Sequence, residues 1–133
     1  MTAFSNGSIL SYHYLWARQA DAGEESGRKA RPVCLAVTSP SDASLVYLFP
    51  ITSQKPTDAP AGLAITEIEC RRGGLRHPSW LILDEYNQVD LADAYDLAAT
   101  APLGRFSAAF TKAIATRIRD LAARHRVRGV RRR

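Results

Sequence analysis

The sequence predicts an α+β domain in which about five strands curl into a small antiparallel barrel and one amphipathic helix at the C-terminal end covers an opening. Two observations predict it. Runs rich in β-branched and aromatic residues, separated by Gly- and Pro-containing turns, fill the chain up to Glu85, which is the pattern of a strand meander. From Gly104 the apolar period changes, because Phe106, Phe110, Ala113, Ile114, Ile118 and Leu121 recur at helical spacing. Strands first and one helix last is the order of an α+β fold.

Each element follows from its composition. Ile9 to Trp16, ILSYHYLW, mixes β-branched, aromatic and aliphatic residues and reads as the first strand. Residues 17 to 31, ARQADAGEESGRKAR, carry seven charged side chains and two glycines without apolar periodicity, so they read as a loop of unusual length for a small domain. PVCLAVT, ending at Thr38, is the second strand, SPSD a turn, and SLVYLFPIT from Ser44 the third strand, stopping near Pro50. SQKPTDAPAG, residues 53 to 62, is a second long loop. LAITEIEC then reads as a strand, RRGGLRHP as a Gly-rich basic turn, and SWLILDE as a strand with four central apolar residues. No repeat or linker divides the chain. Residues 1 to 123 are expected to form one domain and residues 124 to 133 a disordered Arg-rich tail.

Composition bounds the function. With 133 residues, 46% of them apolar, the chain is long enough for one real core. Its pI of about 9.6 comes from one place: RHRVRGVRRR, residues 124 to 133, holds six Arg and no acid, and the remaining twelve basic and thirteen acidic residues nearly cancel. Such a tail attracts phosphates without sequence preference. No run approaches the length of a membrane span, and MTAFSNGSIL lacks the layout of a signal peptide. A cytoplasmic protein without membrane contact is expected. Cys34 and Cys70 read as free thiols, Cys34 buried, and neither has a second Cys or a His at metal-ligand spacing. No metal and no cofactor are therefore expected.

Glycine phosphate loops, HExxH and GxSxG are absent from the sequence, which leaves nucleotide hydrolysis, zinc proteolysis and α/β-hydrolase chemistry without support. His13 reads as a packed ring and His125 as part of the tail, whereas His77, beside Arg76 in the basic turn, is a functional candidate. The adjacent Glu24 and Glu25 do not face each other as an acid/base pair would. Two residues stand out by position. The second and third strands are antiparallel neighbours across a short turn, so Arg31 at the start of one and Thr52 at the end of the other share one rim of the sheet. An Arg before a strand is also commonly a surface ion-pair residue, and a Thr after one commonly closes a turn.

GSIL near the start, DAGEESGRKARPVCLAV, FPITSQ, SWLILDE, and LGRF before a terminal helix, in that order, resemble the MazF/PemK (Kid-type) toxins of bacterial toxin-antitoxin pairs. The most specific parts are the Arg-Pro pair and the strand ending in Thr. The resemblance spans roughly Gly7 to Leu121; the tail and the spacing between Gly27 and Arg31 depart from the family pattern. It implies an SH3-like barrel of the kind also seen in the CcdB gyrase poisons, and a sequence-specific, metal-independent endoribonuclease that works as a homodimer. The implied partners are single-stranded RNA and a cognate antitoxin, with DNA reached only through the antitoxin. Arg31 and Thr52 fall on the catalytic pair of that family. Such chemistry needs little from the protein, because RNA supplies its own 2′-hydroxyl nucleophile and yields a 2′,3′-cyclic phosphate and a 5′-hydroxyl. Arg31 offers a fork of donors for phosphate oxygens, and Thr52 a hydroxyl for the reacting oxygens. An Arg is protonated at neutral pH, so His77 and Glu24 are candidates for proton transfer, with Arg28 a rival to Arg31. Arg28, Lys29, Gln54 and Lys55 on the two loops are the expected RNA contacts, and Arg71, Arg72 and Arg76 the expected basic rim. The competing reading is a non-catalytic barrel, either a gyrase-poison-like binding module or an inert RNA- or antitoxin-binding relic.

Overall fold

The computed structural model describes residues 6–24, 27, 29–39, 42–57, 62–90, 101–124 and 127–132, with 37–39 and 42–44 as backbone only. Arg28 lies outside the described residues. Within them the chain is an α+β protein, a curled and mostly antiparallel sheet with a C-terminal helix.

Three strands form the centre. β1 (Ser8–Tyr12) pairs antiparallel with β2 (Arg31–Ser39), placing Ile9 opposite Cys34 and Tyr12 opposite Arg31. β2 pairs antiparallel with β3 (Asp42–Thr52), placing Cys34 opposite Phe49 and Val33 opposite Pro50. Alternation sends Ile9, Cys34, Phe49 and Ile51 into one buried cluster and Leu10, Val33, Leu35 and Leu48 into another. Burial on both faces is why these strands read as continuous apolar runs. Cys34 is enclosed in the first cluster, and burial pushes its thiol up to about 12, which leaves it protonated and inert.

The outer edge of β3 is used twice, and this produces the curl. Leu45 to Leu48 pair with β6 (Glu85–Asp90), and Ile51 and Thr52 pair with β5 (Ser79–Ile82). Pro50, which has no N–H to give to a ladder, sits where the partner changes. β4 (Gly62–Ile65) extends the sheet beyond β5, and β7 (Gly104–Arg105) pairs with β1 at the other end.

Two helices cover the first cluster, which takes in Cys70 from α2 (Glu67–Gly73) and Ile114 and Leu121 from α3 (Ala108–Ala123). Ser107 caps α3 by accepting from the Phe110 N–H at 3.1 Å. Glu69 of α2 ties the two helices together, its carboxylate accepting from the Ser107 N–H at 2.9 Å and from the Ser107 hydroxyl at 2.6 Å. Of the expected apolar stripe, Phe110, Ile114, Ile118 and Leu121 of α3 and Phe106 just ahead of it pack on this cluster, whereas Ala113 is exposed.

Several elements differ from the sequence expectation. LAITEIEC is not one strand: β4 ends at Ile65, and Thr66 caps α2 by accepting from the Glu69 N–H. The Thr-x-x-Glu start and the Gly74 C-cap at φ +68° are the local signals that override the strand-like alternation. The basic turn therefore loses Arg71 and Arg72 to α2. SWLILDE divides at Leu83 and Asp84 into β5 and the start of β6, and among the described residues the sheet has eight strands rather than about five. The first strand stops at Tyr12, and the loop 17–31 begins with a short helix, α1 (Ala17–Asp21).

The tail is corrected as well. Residues 128–131, expected within a disordered segment, form β8 (Arg128–Arg131), parallel to β6 with Val130 opposite Asn87. Val130 is buried with Leu15 and Ala17, Val127 packs on the first cluster, and the Arg132 guanidinium lies 5.1 Å from the centre of the Tyr12 ring. Two valines and one Arg stem supply the apolar contact that the charge count conceals.

Candidate active site

The site is built on the sheet rim where β2 begins and β3 ends. The β2 to β3 register sets Val33 opposite Pro50, so Arg31, two residues before Val33, and Thr52, two residues after Pro50, lie on the same face at the same end of the two strands. Across the rim Tyr12 faces Arg31 on one side, and Trp80 of β5 faces Thr52 on the other. Opposed residues of an antiparallel pair share a face, so Arg31 and Thr52 point into the same space. Pro32 fixes the backbone just inside the rim. Gly27 brings the preceding loop close, since a Cβ there would run into the carbonyl groups of His13 and Tyr14.

Beyond the rim opens a cleft of about 990 Å³. Arg31 and Thr52 line it together with four further cations, Arg18, Lys29, Lys55 and Arg76. Ser53, Gln54 and Thr57 add polar groups, and Ile51, Leu75, Ile82 and Leu103 an apolar floor. No carboxylate and no imidazole is among the described lining residues. An open, uniformly positive concavity of this kind raises the local concentration of anions. No group of three or more His, Cys, Asp or Glu that could hold a metal ion occurs among the described residues.

Two details sharpen the chemistry. The guanidinium carbons of Arg18 and Arg31 lie 5.0 Å and 5.1 Å from the centre of the Trp16 ring, within cation–π range. Burial, and then the charge of Arg18, hold the Arg31 guanidinium below its usual range. It nevertheless stays protonated at neutral pH, so the site holds two like charges around one indole, a repulsion that a bound anion relieves. Thr52 Oγ1 accepts from the Gln54 N–H at 3.1 Å. This turn orients the oxygen and leaves the hydroxyl proton to be donated to a ligand.

Trp16 and Arg18 reach the cleft because α1 is anchored from below. Glu85 Oε1 accepts from the Tyr14 hydroxyl at 3.0 Å and from the Ala17 N–H at 2.9 Å. Burial, the largest influence, raises the Glu85 carboxyl above its usual range, partly offset by those two hydrogen bonds. A carboxyl whose folded value is raised contributes stability that is fully present below its unfolded value of roughly 4.3 and is lost as the pH rises through its folded value. Glu85→Gln keeps an acceptor without the charge. Its unfolding free energy should therefore gain on the wild type as pH goes from acid to neutral in urea titrations; a constant difference, or one of opposite slope, would refute the assignment.

Of the residues picked out by sequence, the cleft unites Arg31, Thr52, Lys29, Gln54, Lys55 and Arg76. It does not include the two proton-transfer candidates. Glu24 follows the turn after α1, and His77 is exposed beside Pro78, to which it is joined by a cis peptide bond; neither lines the cleft. Arg71 and Arg72 are exposed on α2, Arg71 at 3.5 Å from Glu67, and they too lie outside the lining. Sequence reasoning missed Trp16 and Arg18, assigning the first to a strand and the second to a loop. Nothing local marks them as a pair; the turn after Tyr12 brings them to Arg31. No protein-family model matches the sequence, and no curated protein matches it significantly.

Proposed function

We propose that the protein is a metal-independent endoribonuclease that cuts single-stranded RNA by 2′-hydroxyl attack, a toxin of the MazF/PemK kind with an SH3-like barrel, acting in the cytoplasm as a homodimer and neutralised by an antitoxin. The observation that carries this reading is the facing of Arg31 and Thr52 on the wall of a cleft with five cations and no carboxylate among its described lining residues. Its charge suits a polyphosphate backbone, and its open shape suits an unpaired strand rather than a duplex.

In this reading Lys29, Lys55 and Arg76 hold flanking phosphates, and the Arg31 fork binds the scissile one. The 2′-oxygen attacks phosphorus, the bond to the 5′-oxygen breaks, and a 2′,3′-cyclic phosphate and a 5′-hydroxyl result. Arg31 stabilises the charge that builds on the phosphoryl oxygens, and the Thr52 hydroxyl donates to one of them. The 2′-hydroxyl proton leaves to water, and the departing 5′-oxygen takes one up from water.

The test is incubation of purified protein with a long mixed-sequence RNA in EDTA, with the 5′ ends of the fragments mapped. Discrete cuts are expected, slowed roughly tenfold in Thr52→Ala by loss of one hydrogen bond and unaltered in His77→Ala. Intact RNA from folded protein would leave the non-catalytic binding module as the better reading.

A further inference from the structure

Residues 13 to 16 link β1 to α1 and present Trp16 to the cleft. Their anchorage comes from the far end of the chain. Arg132 Nη1 donates to the His13 carbonyl at 2.8 Å and to Asn87 Oδ1 at 3.0 Å. Asn87, fully buried on β6, brackets the next residue but one: its Oδ1 accepts from the Leu15 N–H at 2.9 Å and its Nδ2 donates to the Leu15 carbonyl at 2.7 Å. Arg128 adds an ion pair to Asp21 at the end of α1, with Nη1 to Oδ2 at 2.8 Å. The backbone on both sides of Tyr14 is thus fixed by groups from β6 and from the C-terminal segment.

We propose that the C-terminal segment, β8 with the Arg132 that follows it, is a positioning element of the cleft: Arg132, acting through His13 and Asn87, sets the place of Trp16, and Trp16 holds the Arg31 guanidinium in its working orientation. The reaction this serves is the one proposed above, on which the inference rests. Two features separate it from simple tail docking. Arg132 is half-buried against the Tyr12 ring while its neighbour Arg131 is exposed, and burial lowers the Arg132 guanidinium from its usual range, a cost that a solvated tail would avoid. The chain of contacts also ends on Arg31 itself, at 5.1 Å from the indole centre. An untethered indole would let the half-buried Arg31 turn away from Arg18, toward solvent and out of line with a phosphate.

The protein has two tryptophans, so a Trp80→Phe background leaves Trp16 as the sole reporter. In that background Arg132→Met, folded by circular dichroism, should show red-shifted emission and stronger acrylamide quenching. Its kcat should fall about tenfold with KM changed less than about twofold, and Arg132→Lys should recover part of both signals. Trp16→Phe, which keeps an aromatic face for Arg31, should retain more kcat than Trp16→Leu. Unchanged emission in folded Arg132→Met, or altered emission with wild-type kcat, would overturn the proposal. If the parent protein cuts no RNA, the ribonuclease reading fails by that result alone. The positioning proposal is then decided by the emission alone, which Arg132→Met must shift and Arg132→Lys partly restore. Should Arg132→Met not fold, Arg132→Lys decides it by emission and kcat, and the Trp16 variants by kcat alone.

Discussion

An Arg31→Ala variant is expected to cleave RNA roughly 10²–10³-fold more slowly than the wild type in kcat, the cost of removing a preorganised donor to the charge of a transition state. Arg31 is the half-buried cation at the start of β2, opposite the end of β3 and against the Trp16 ring. Two charge-assisted hydrogen bonds from its fork, each worth about 1.5–3 kcal/mol, account for a loss of that size. Arg31→Lys restores the charge but not the fork, so it should recover only part of the rate. Lys29, Lys55 and Arg76 remain in the cleft in either variant; binding, read through KM, should change far less than kcat. Single-turnover rates on a short RNA carrying a mapped cut site provide the measurement. An Arg31→Ala rate within tenfold of wild type would remove Arg31 from the chemistry.

Asn87→Leu is expected to destabilise the fold by about 3 kcal/mol in urea titration. Asn87 is 0% exposed, and its amide satisfies both the N–H and the carbonyl of Leu15 while accepting from Arg132. Leu has the same branching and a larger volume, so it leaves no cavity, and the loss comes from orphaned polar groups together with the strain of the added volume. Each buried group left without its partner costs about 1–3 kcal/mol, and Leu15 is itself 3% exposed, so water does not readily replace the amide. A loss below about 1 kcal/mol would mean that the segment relaxes into solvent and that the clamp is dispensable.

Much of the fold was legible because its determinants are local. Two-sided burial wrote itself into PVCLAV and SLVYLF as apolar runs, and the one-sided burial of α3 wrote itself as a 3.6-residue stripe. The strand-like alternation of LAITEIEC misled because a capping Thr and a left-handed Gly decide a seven-residue helix against it. β8 was invisible for a different reason. A strand at a sheet edge needs few apolar contacts of its own, and RHRVRGVRRR has two valines among six arginines.

The site divides in the same way. The sequence by itself determined that Arg31 and Thr52 meet at one rim, since a short connection makes the two apolar strands antiparallel neighbours, while an irregularity between Val37 and Ser39 shifts their pairing by two positions, and that the flanking loops bring Lys29, Gln54 and Lys55 alongside. Tertiary structure alone decided that Trp16 and Arg18 join them, that Glu24 and His77 do not, and that the last residues of the chain hold the first turn of the site in place. The physical reason is sequence distance. Hairpin register is set by neighbours along the chain, whereas the clamp pairs Arg132 with His13 across 119 positions and Asn87 with Leu15 across 72, and no local pattern encodes a contact between segments that meet only after the sheet has curled.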